Sequence, residues 1–291
     1  MFSENRNKFL TVGNITKDVI KTKLEEQTSY GGNSYCGIAA KELGWESTIL
    51  SRGNEELSEW VIELEDLGVR VFLQQDESVT FFCHDYTSGE RVETLLGNTE
   101  KIIFDVDEKF DIIHINPLFK EADVDLVKKA RKKCKLLSMD VQGLVRDVEN
   151  KKVVRKFLDD SKNWFKSVDI LHVGQQELKF VSEEKSPEDI CKDLKSLGAK
   201  IVVLTFGKEG SIISGKNFYK IPALAVKEVD PTGAGDVYST AFAIKYFETK
   251  DEREAGFFGA ATASFVVEDF GARNIQPREK IEERLKQLNR G

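Results

Sequence analysis

A mostly parallel β-sheet covered by α-helices on both faces is the architecture this sequence predicts, and three observations predict it. From Phe104 onward, short and nearly continuous apolar segments alternate with helical stretches of about a dozen residues, the βα rhythm of a sheet buried on both sides. The 291 residues, 40% hydrophobic and 32% charged, supply enough apolar surface for a large core, since a chain of this size buries about three-quarters of its unfolded surface. The four cysteines, Cys36, Cys83, Cys134 and Cys191, are far apart and form no CxxC pair. The fold therefore needs no disulfide staples, and a reducing, cytoplasmic setting is expected.

The first strand is expected over Phe9 to Ile15, and the glycine-rich SYGGNSYCGIAAKELG then reads as a turn feeding a helix. TILSR follows as a strand. NEELSEWVIELEDLG puts Leu57, Trp60, Val61, Leu64 and Leu67 on one helical face. VRVFL, SVTFFCHDYTS and RVETLL have the strongest strand character in the chain and predict a small antiparallel excursion. The alternation resumes with DIIHINPLF and a helix over DVDLVKKARKKC, in which Val127, Ala130 and Cys134 fall near helical spacing. KLLSMDVQG, a helical stretch through VRKFL, and VDILHVG come next. SPED opens another helix, with Ser186 as N-cap, Pro187 at the first helical position and Asp189 third; Ile190, Leu194 and Leu197 form its apolar face and Gly198 stops it. IVVLT is a buried strand. GSIISGKN spells most of a phosphate-loop motif, but Asn217 lacks the metal-binding hydroxyl and no helix follows, so Ile212 and Ile213 are read as entering a hairpin that turns over Ser214 to Asn217.

The 43 basic and 50 acidic residues leave a net charge of -7, an ordinary solubilising surface that argues against a nucleic-acid partner. The densest basic run, VKKARKKCK, reads as the wet face of a helix. No run approaches membrane-spanning length, and MFSENRNKFL holds no apolar stretch of the kind a signal sequence needs. His84, His114 and His172 lack metal-cluster spacing and are expected to be structural.

Chemistry concentrates in VDPTGAGDVYSTAFAIKYF. Gly233, Ala234 and Gly235 stand at the start of an amphipathic helix, where small residues let backbone amides approach an anion and the unpaired amides of the first turn favour negative charge. Asp236 follows at once. A carboxylate beside an anion pocket is electrostatically unhelpful unless it handles a proton or a cation, which is the case for a general base; capping the helix is the competing role.

The DPTGAGD segment, Asp230 to Asp236, resembles the C-terminal signature of the ribokinase-like, or PfkB, carbohydrate kinase family. The likeness runs from GNITKD near the start, through the helix that follows the double glycine, to AATASFVVEDFGA. It implies a ribokinase-like, doubly wound α/β sheet over residues 1–291, with a small β-sheet lid at about 19–30 and 69–96 that in many members contributes to a homodimer. It also implies that Asp236 is the base and that Gly233, Ala234 and Gly235 form the anion hole. Asp18 would bond substrate hydroxyls, and Gly31 and Gly32 would let the backbone approach the substrate. Cys36 falls where the family carries an asparagine, which makes Asn33 the candidate polar contact, or else a cap. In HVGQQE, Glu177 retains the acid of the family NxxE element while Gly174 replaces its asparagine. An indirect, magnesium-orienting role and a plain helix-terminal acid are both open to Glu177. VVLTFGKEGSII resembles the nucleotide segment, with Thr205, Gly207 and Gly210 passing close to the donor, and Gly271 is expected in the nucleotide-side wall.

HINPLFKE and SMDVQGLVRD resemble an archaeal-type branch related to myo-inositol 3-kinase. Asn116, Asp140, Gln142 and Arg146 gather hydrogen-bonding groups near strand ends, suited to the hydroxyls of a polyol ring. The expected activity is ATP-dependent, Mg2+-assisted transfer of the γ-phosphoryl group to a polyol or sugar hydroxyl, with myo-inositol favoured. A nucleoside kinase and a sugar-acid kinase of the 2-keto-3-deoxygluconate type are the alternatives. An inactive polyol- or nucleotide-binding regulator is the alternative of another class. A nucleoside would want a flat apolar slot, for which Phe81, Phe82 and Tyr86 are candidates, and a keto acid would want an extra cationic contact.

Overall fold

The structure is a computed structural model that describes residues 6–23, 25–89 and 91–288. In chain order it runs β1 (Lys8–Val12), β2 (Ile15–Lys21), β3 (Glu26–Gly32), α1 (Asn33–Glu42), β4 (Glu46–Gly53), α2 (Ser58–Asp66), β5 (Val69–Gln75), β6 (Thr80–Asp85), β7 (Val92–Gly97), β8 (Phe110–Ile115), α3 (Val124–Arg131), β9 (Cys134–Asp140), α4 (Gln142–Val145), β10 (Arg146–Glu149) and β11 (Lys152–Arg155). It continues with α5 (Ser161–Phe165), β12 (Ile170–Gly174), α6 (Leu178–Val181), α7 (Pro187–Ser196), β13 (Ile201–Thr205), β14 (Ser211–Ser214), β15 (Phe218–Ile221), α8 (Ala234–Thr249), α9 (Glu252–Val266) and α10 (Arg278–Leu288).

These strands form a nine-stranded sheet, ordered β15-β14-β13-β12-β9-β8-β1-β4-β5, and a six-stranded one, ordered β10-β11-β7-β6-β2-β3. The large sheet is parallel from β13 to β5, and the β14–β15 hairpin extends it antiparallel. From the central β1 the chain fills β4 and β5 on one side and β8, β9, β12 and β13 on the other. The carboxyl ends of β1 and β8 thus mark the point where the winding reverses, the place where such sheets open a crevice.

The two-residue period of each strand divides the core into layers. On β12, Leu171 and Val173 pack with α3 and α7 side chains such as Val127, Ile190 and Leu194. Ile170 points the other way, into the layer built by Phe242 of α8, Phe258 of α9 and Ile281 of α10. Helix α7 starts as its sequence specifies, with the Ser186 hydroxyl accepting from the Asp189 amide at 3.1 Å and Pro187 at the first position. The GSIISGKN segment is the β14–β15 hairpin. No helix among the described residues is long and apolar enough to cross a membrane.

Several expectations are corrected. The Phe9 to Ile15 strand is broken after Val12, and Ile15 opens β2 in the second sheet. Residues 69–75 are not lid: β5 pairs in parallel with β4 at the edge of the large sheet, because α2 returns the chain there and Val69 is buried beneath it. VRKFL is not helical. Its Val154 and Arg155 belong to β11, which forms a hairpin with β10 through Asn150 and Lys151, both at positive φ (51° and 65°). That turn takes the mirror-image geometry that suits a two-residue hairpin, but with a lysine where glycine usually advertises it. Cys134 is not on the α3 face, since α3 ends at Arg131 and Cys134 opens β9. Leu67 lies past α2 and is 38% exposed.

The loops after β8 and β9 are strapped together at the mouth of the crevice. The Gly143 amide donates to the Pro117 carbonyl (3.0 Å), and the Gly143 carbonyl accepts from the Lys120 amide (3.1 Å). A Cβ on Gly143 would lie 2.4 Å from the Pro117 carbonyl, a contact with backbone that no rotamer relieves. Gly143→Ala is expected to destabilise the fold by about 2 kcal/mol, within the usual cost of overpacking. Urea unfolding should show a lower midpoint with an unchanged m-value. Ser186→Ala, which removes only a cap, should cost about 1 kcal/mol by the same measurement.

Candidate active site

Helix α8 begins where it does because Gly233 turns the chain at φ +79°, and a Cβ there would fall 2.3 Å from the Tyr35 ring. Of the amides in this first turn, that of Ala234 donates to the Pro231 carbonyl (3.2 Å) and that of Val237 to Gly233 (3.0 Å). Those of Gly235 and Asp236 meet no acceptor among the described residues, so these two are free to donate to an anion. Ala234 contributes its small size rather than a free amide.

Asp236 is held from behind. Its Oδ1 accepts from Asn116 Nδ2 at 2.8 Å and from Gln142 Nε2 at 3.0 Å, while Gln142 also bonds Asn116 Oδ1 at 3.1 Å. Asn116 follows β8 and Gln142 follows β9, so adjacent parallel strands deliver both donors. Burial pushes the pKa of Asp236 up to about 6, helped by the charge of Asp140; the hydrogen bonds of Asn116 and Gln142 and the charge of Arg146 work the other way. A carboxylate titrating there can accept a proton near neutrality.

Next to it, Asp140 at the end of β9 takes the Gln142 amide on Oδ1 (2.7 Å) and His172 Nδ1 on Oδ2. The other ring nitrogen of His172 lies 3.2 Å from Thr205 Oγ1. Burial acts to lower His172, but the charge and hydrogen bond of Asp140 prevail and hold it above the usual imidazole range.

The second sheet supplies the facing wall. Glu93 of β7 is surrounded by Arg146 Nη2 (3.5 Å), Arg91 Nη2 (2.8 Å), His84 Nδ1 (3.5 Å) and Arg155 Nη2 (3.9 Å). Against the burial that would raise it, these neighbours, Arg146 foremost, take its pKa down to about 2. Arg155 also donates to Glu177 Oε1 at 2.9 Å. Burial raises the pKa of Glu177, and the arginine only partly offsets this.

Two cavities meet at this place. The polar one, about 220 Å³, is lined by Asp18, Gly32, Gln142, Arg146, His172 and Asp236 together with the Glu93 cluster. The other, about 590 Å³, has walls of Ala223, Leu224, Val226, Ala260, Ala263 and Val267. Gly174, Glu177, Thr205, Pro231 and Gly235 line both. Asp18 is almost fully buried, and its Oδ1 has no hydrogen-bond partner. A side chain on Gly31 would press on Asp18 Oδ2 at 2.6 Å, and one on Gly32, at φ +60°, would strike the Asn14 carbonyl at 2.4 Å. Gly207 and Gly210 line the larger cavity.

Three expected contacts are corrected. Asn33 faces away from the polar cavity, with its amide spent on Thr11 Oγ1 and on the carbonyls of Asn14 (3.3 Å) and Asn116 (2.8 Å). Asn116 is fully buried and holds Asp236 rather than lining the cavity. Gly271 lies outside the larger cavity and nearest to Ser29 (3.8 Å from its notional Cβ), because α9 supplies the small residues of that wall. His84 and His172, expected to be structural, line the polar cavity. Neither carries a spacing signal along the chain, nor do Arg91, Glu93 and Arg155, which strand pairing brings together.

Comparison with known proteins agrees with this geometry. The chain is 26% identical over 300 residues to the ATP-dependent 6-phosphofructokinase of Thermoanaerobacterium thermosaccharolyticum, covering 94% of this chain and 91% of that protein. It is 39% identical over 109 residues to a nucleoside kinase of Methanothermobacter thermautotrophicus, a match over 38% of this chain and only 35% of that protein. A solved pyrophosphate-dependent kinase in the ribokinase family, complexed with a pyrophosphate analog and myo-inositol, superposes with a TM-score of 0.84 at 26% identity, covering 94% of this chain and 99% of that one. The profile of the pfkB family carbohydrate kinases matches residues 30–279. With the ribokinase fold and a family match that spans most of the chain, the protein belongs to the pfkB family of carbohydrate kinases, phosphotransferases that act on a hydroxyl acceptor.

Proposed function

We propose that this kinase transfers the γ-phosphoryl group of ATP to a hydroxyl of a neutral polyol, with myo-inositol the favoured acceptor and Asp236 the base. The observation that carries the reading is the position of Asp236: it lines the polar cavity, next to the Gly235 amide on the wall shared with the larger one. An acceptor hydroxyl in the polar cavity would give its proton to Asp236 as its oxygen bonds phosphorus. The bond from phosphorus to the bridging oxygen then breaks and ADP leaves, while the amides of Gly235 and Asp236 stabilise the charge on the phosphoryl oxygens.

The polar cavity favours a neutral, hydroxyl-rich acceptor. Asp18 Oδ1 is a buried acceptor without a donor, which a substrate hydroxyl suits. A sugar acid would need a cation free to grip it with two donors, yet Arg91 and Arg155 are committed to Glu93 or Glu177, and Arg146, placed between Glu93 and the Leu118 carbonyl, keeps Nε as its unpartnered nitrogen. Of the aromatic candidates for a nucleoside slot, only Phe82 lines the cavity, and it stacks on His84 with the Arg146 guanidinium 5.4 Å from its centroid. The match to a nucleoside kinase keeps that acceptor class as the second reading. The apolar walls of the larger cavity favour a nucleotide donor, because pyrophosphate would leave them uncovered. Glu177, a carboxylate on the shared wall with only Oε1 engaged by Arg155, suits Mg2+, which binds through one or two carboxylates, water and substrate phosphates; bound there, the ion would neutralise triphosphate charge.

Asp236→Asn is expected to lower kcat by at least about 10²-fold with the fold intact by circular dichroism; an unchanged turnover would reject Asp236 as base. Because the base must be ionised, kcat/KM should fall as pH drops through about 6. A product assay over inositols, sugars, sugar acids and nucleosides, each with ATP or pyrophosphate, should give transfer to inositol from ATP. Transfer to nucleosides alone would overturn the acceptor, and transfer from pyrophosphate alone the donor. Ala263→Phe, which fills the apolar cavity, should raise KM for ATP by about tenfold or more and leave KM for the acceptor unchanged.

A further inference from the structure

Beneath the shared wall of the two cavities lies a buried imidazole that neither the base nor the anion hole accounts for. His172 sits on the face of β12 turned toward α8, stacked on the Tyr238 ring at 6.1 Å, and its Cε1 lies 3.7 Å from where a Cβ on Gly235 would stand. Its two nitrogens are occupied by Asp140 and Thr205. Thr205 lines both cavities.

The protonation state of this ring decides which way the Thr205 hydroxyl points. A neutral ring with its proton on Nδ1 bonds Asp140 and accepts the Thr205 proton at Nε2, which turns the hydroxyl hydrogen inward. A cationic ring donates from both nitrogens, so Thr205 Oγ1 accepts and its hydrogen is free to face an anion at the shared wall. The same choice sets the charge behind the base. Asp140 as a lone anion raises the pKa of Asp236, whereas paired with a cation it presents a nearly neutral unit.

We propose that His172 is a positioning residue that works as a cation, pinned between Asp140 and Thr205, so that it cancels the charge behind Asp236 and aims the Thr205 hydroxyl at the phosphoryl group in transfer. The proposal rests on the reading of Asp236 as base. The surroundings favour the cation. Against burial, the charge and hydrogen bond of Asp140 from β9 and the charge of Asp236 from α8 act to raise its pKa; Glu177 acts the same way, but the cation does not rest on it, since a metal held there would cancel its charge. Of the other two buried imidazoles, His114 on β8 is brought down to about 4 by burial and adds no competing charge near neutrality, while His84 lies across the polar cavity between Asp18 and Glu93. Around Asp236, Arg146 is the further cation, and burial keeps the Tyr35 hydroxyl and the Cys36 thiol of α1 protonated.

The test is a pH profile on the full chain. His172→Gln leaves Asp140 unpaired, so the acidic limb of kcat/KM should move up by about one pH unit, with kcat at the optimum reduced about tenfold or more. Adding Asp140→Asn removes the uncovered charge and should bring the limb back to its original pH. Thr205→Val should lower kcat without moving the limb, and Thr205→Ser should restore it. A limb that stays in place in His172→Gln while the rate falls would make His172 merely structural and overturn the proposal, as would a double variant whose limb remains shifted. Independently of any variant's folding, the imidazole nitrogen spectrum of the wild-type protein should show both His172 nitrogens protonated at pH 7; a neutral tautomer would sink the idea. An active Asp236→Asn variant identifies failure of the base reading itself, and an inactive one alongside an unmoved His172→Gln limb isolates failure of this inference.

Discussion

A carboxylate taken out of water at the start of a helix must be held by donors that keep it ionisable without neutralising it, and the organisation around Asp236 follows from that constraint. Two amides meet its Oδ1, one from the loop after β8 and one from the loop after β9. Each of those loops is fixed in turn. The Asn33 amide grips the Asn116 carbonyl, and the backbone of Gly143 bonds that of Pro117. Cys36 Sγ packs within 3.4 Å of Asn116 Nδ2 and 3.8 Å of the Asp236 carbonyl. Asn33 and Asn116, which look substrate-facing in the sequence, thus hold Asp236 from behind, with Cys36 packed beside them, as a supporting layer must when the group it holds tolerates little displacement.

The wall opposite is an electrostatic construction of another kind. Glu93 collects Arg91, Arg146, Arg155 and His84 from separate segments of the second sheet. Such a cluster offsets its own desolvation only while each partner is present, so its value lies in fixing how these strands meet more than in net stability. It also determines what the polar cavity offers a ligand: guanidinium groups set against carboxylates, with Arg146 Nε left unpartnered, and a buried Asp18 oxygen that accepts no hydrogen bond.

Between these walls, the shared residues Gly174, Glu177, Thr205 and Gly235 let one cavity open on the other. Gly174 stands where the family motif carries an asparagine, and a Cβ there would sit 2.5 Å from Glu177 Oε2. The departure from the motif and the inward seat of the Glu177 carboxylate are therefore one adjustment, the smaller residue making room for the acid.

What the sequence determined by itself was local. Ser186 and Pro187 start α7 because a hydroxyl and a ring without an N–H satisfy or remove donors within a single turn. Gly233 to Asp236 mark the head of α8 because small residues and an acid at a helix start have a meaning independent of what packs against them. The βα alternation announced the parallel sheet for the same reason, since period and length are properties of the segment. Only the tertiary structure decided the rest. Asn150 and Lys151 turn a hairpin without a glycine because β7 waits to pair with β11. β5 leaves the lid because β4 offers it a parallel edge. Asn116 and His172 acquire their partners across 120 and 32 residues of chain. Contacts at those separations depend on which strand lies beside which, and no periodicity within either segment encodes that.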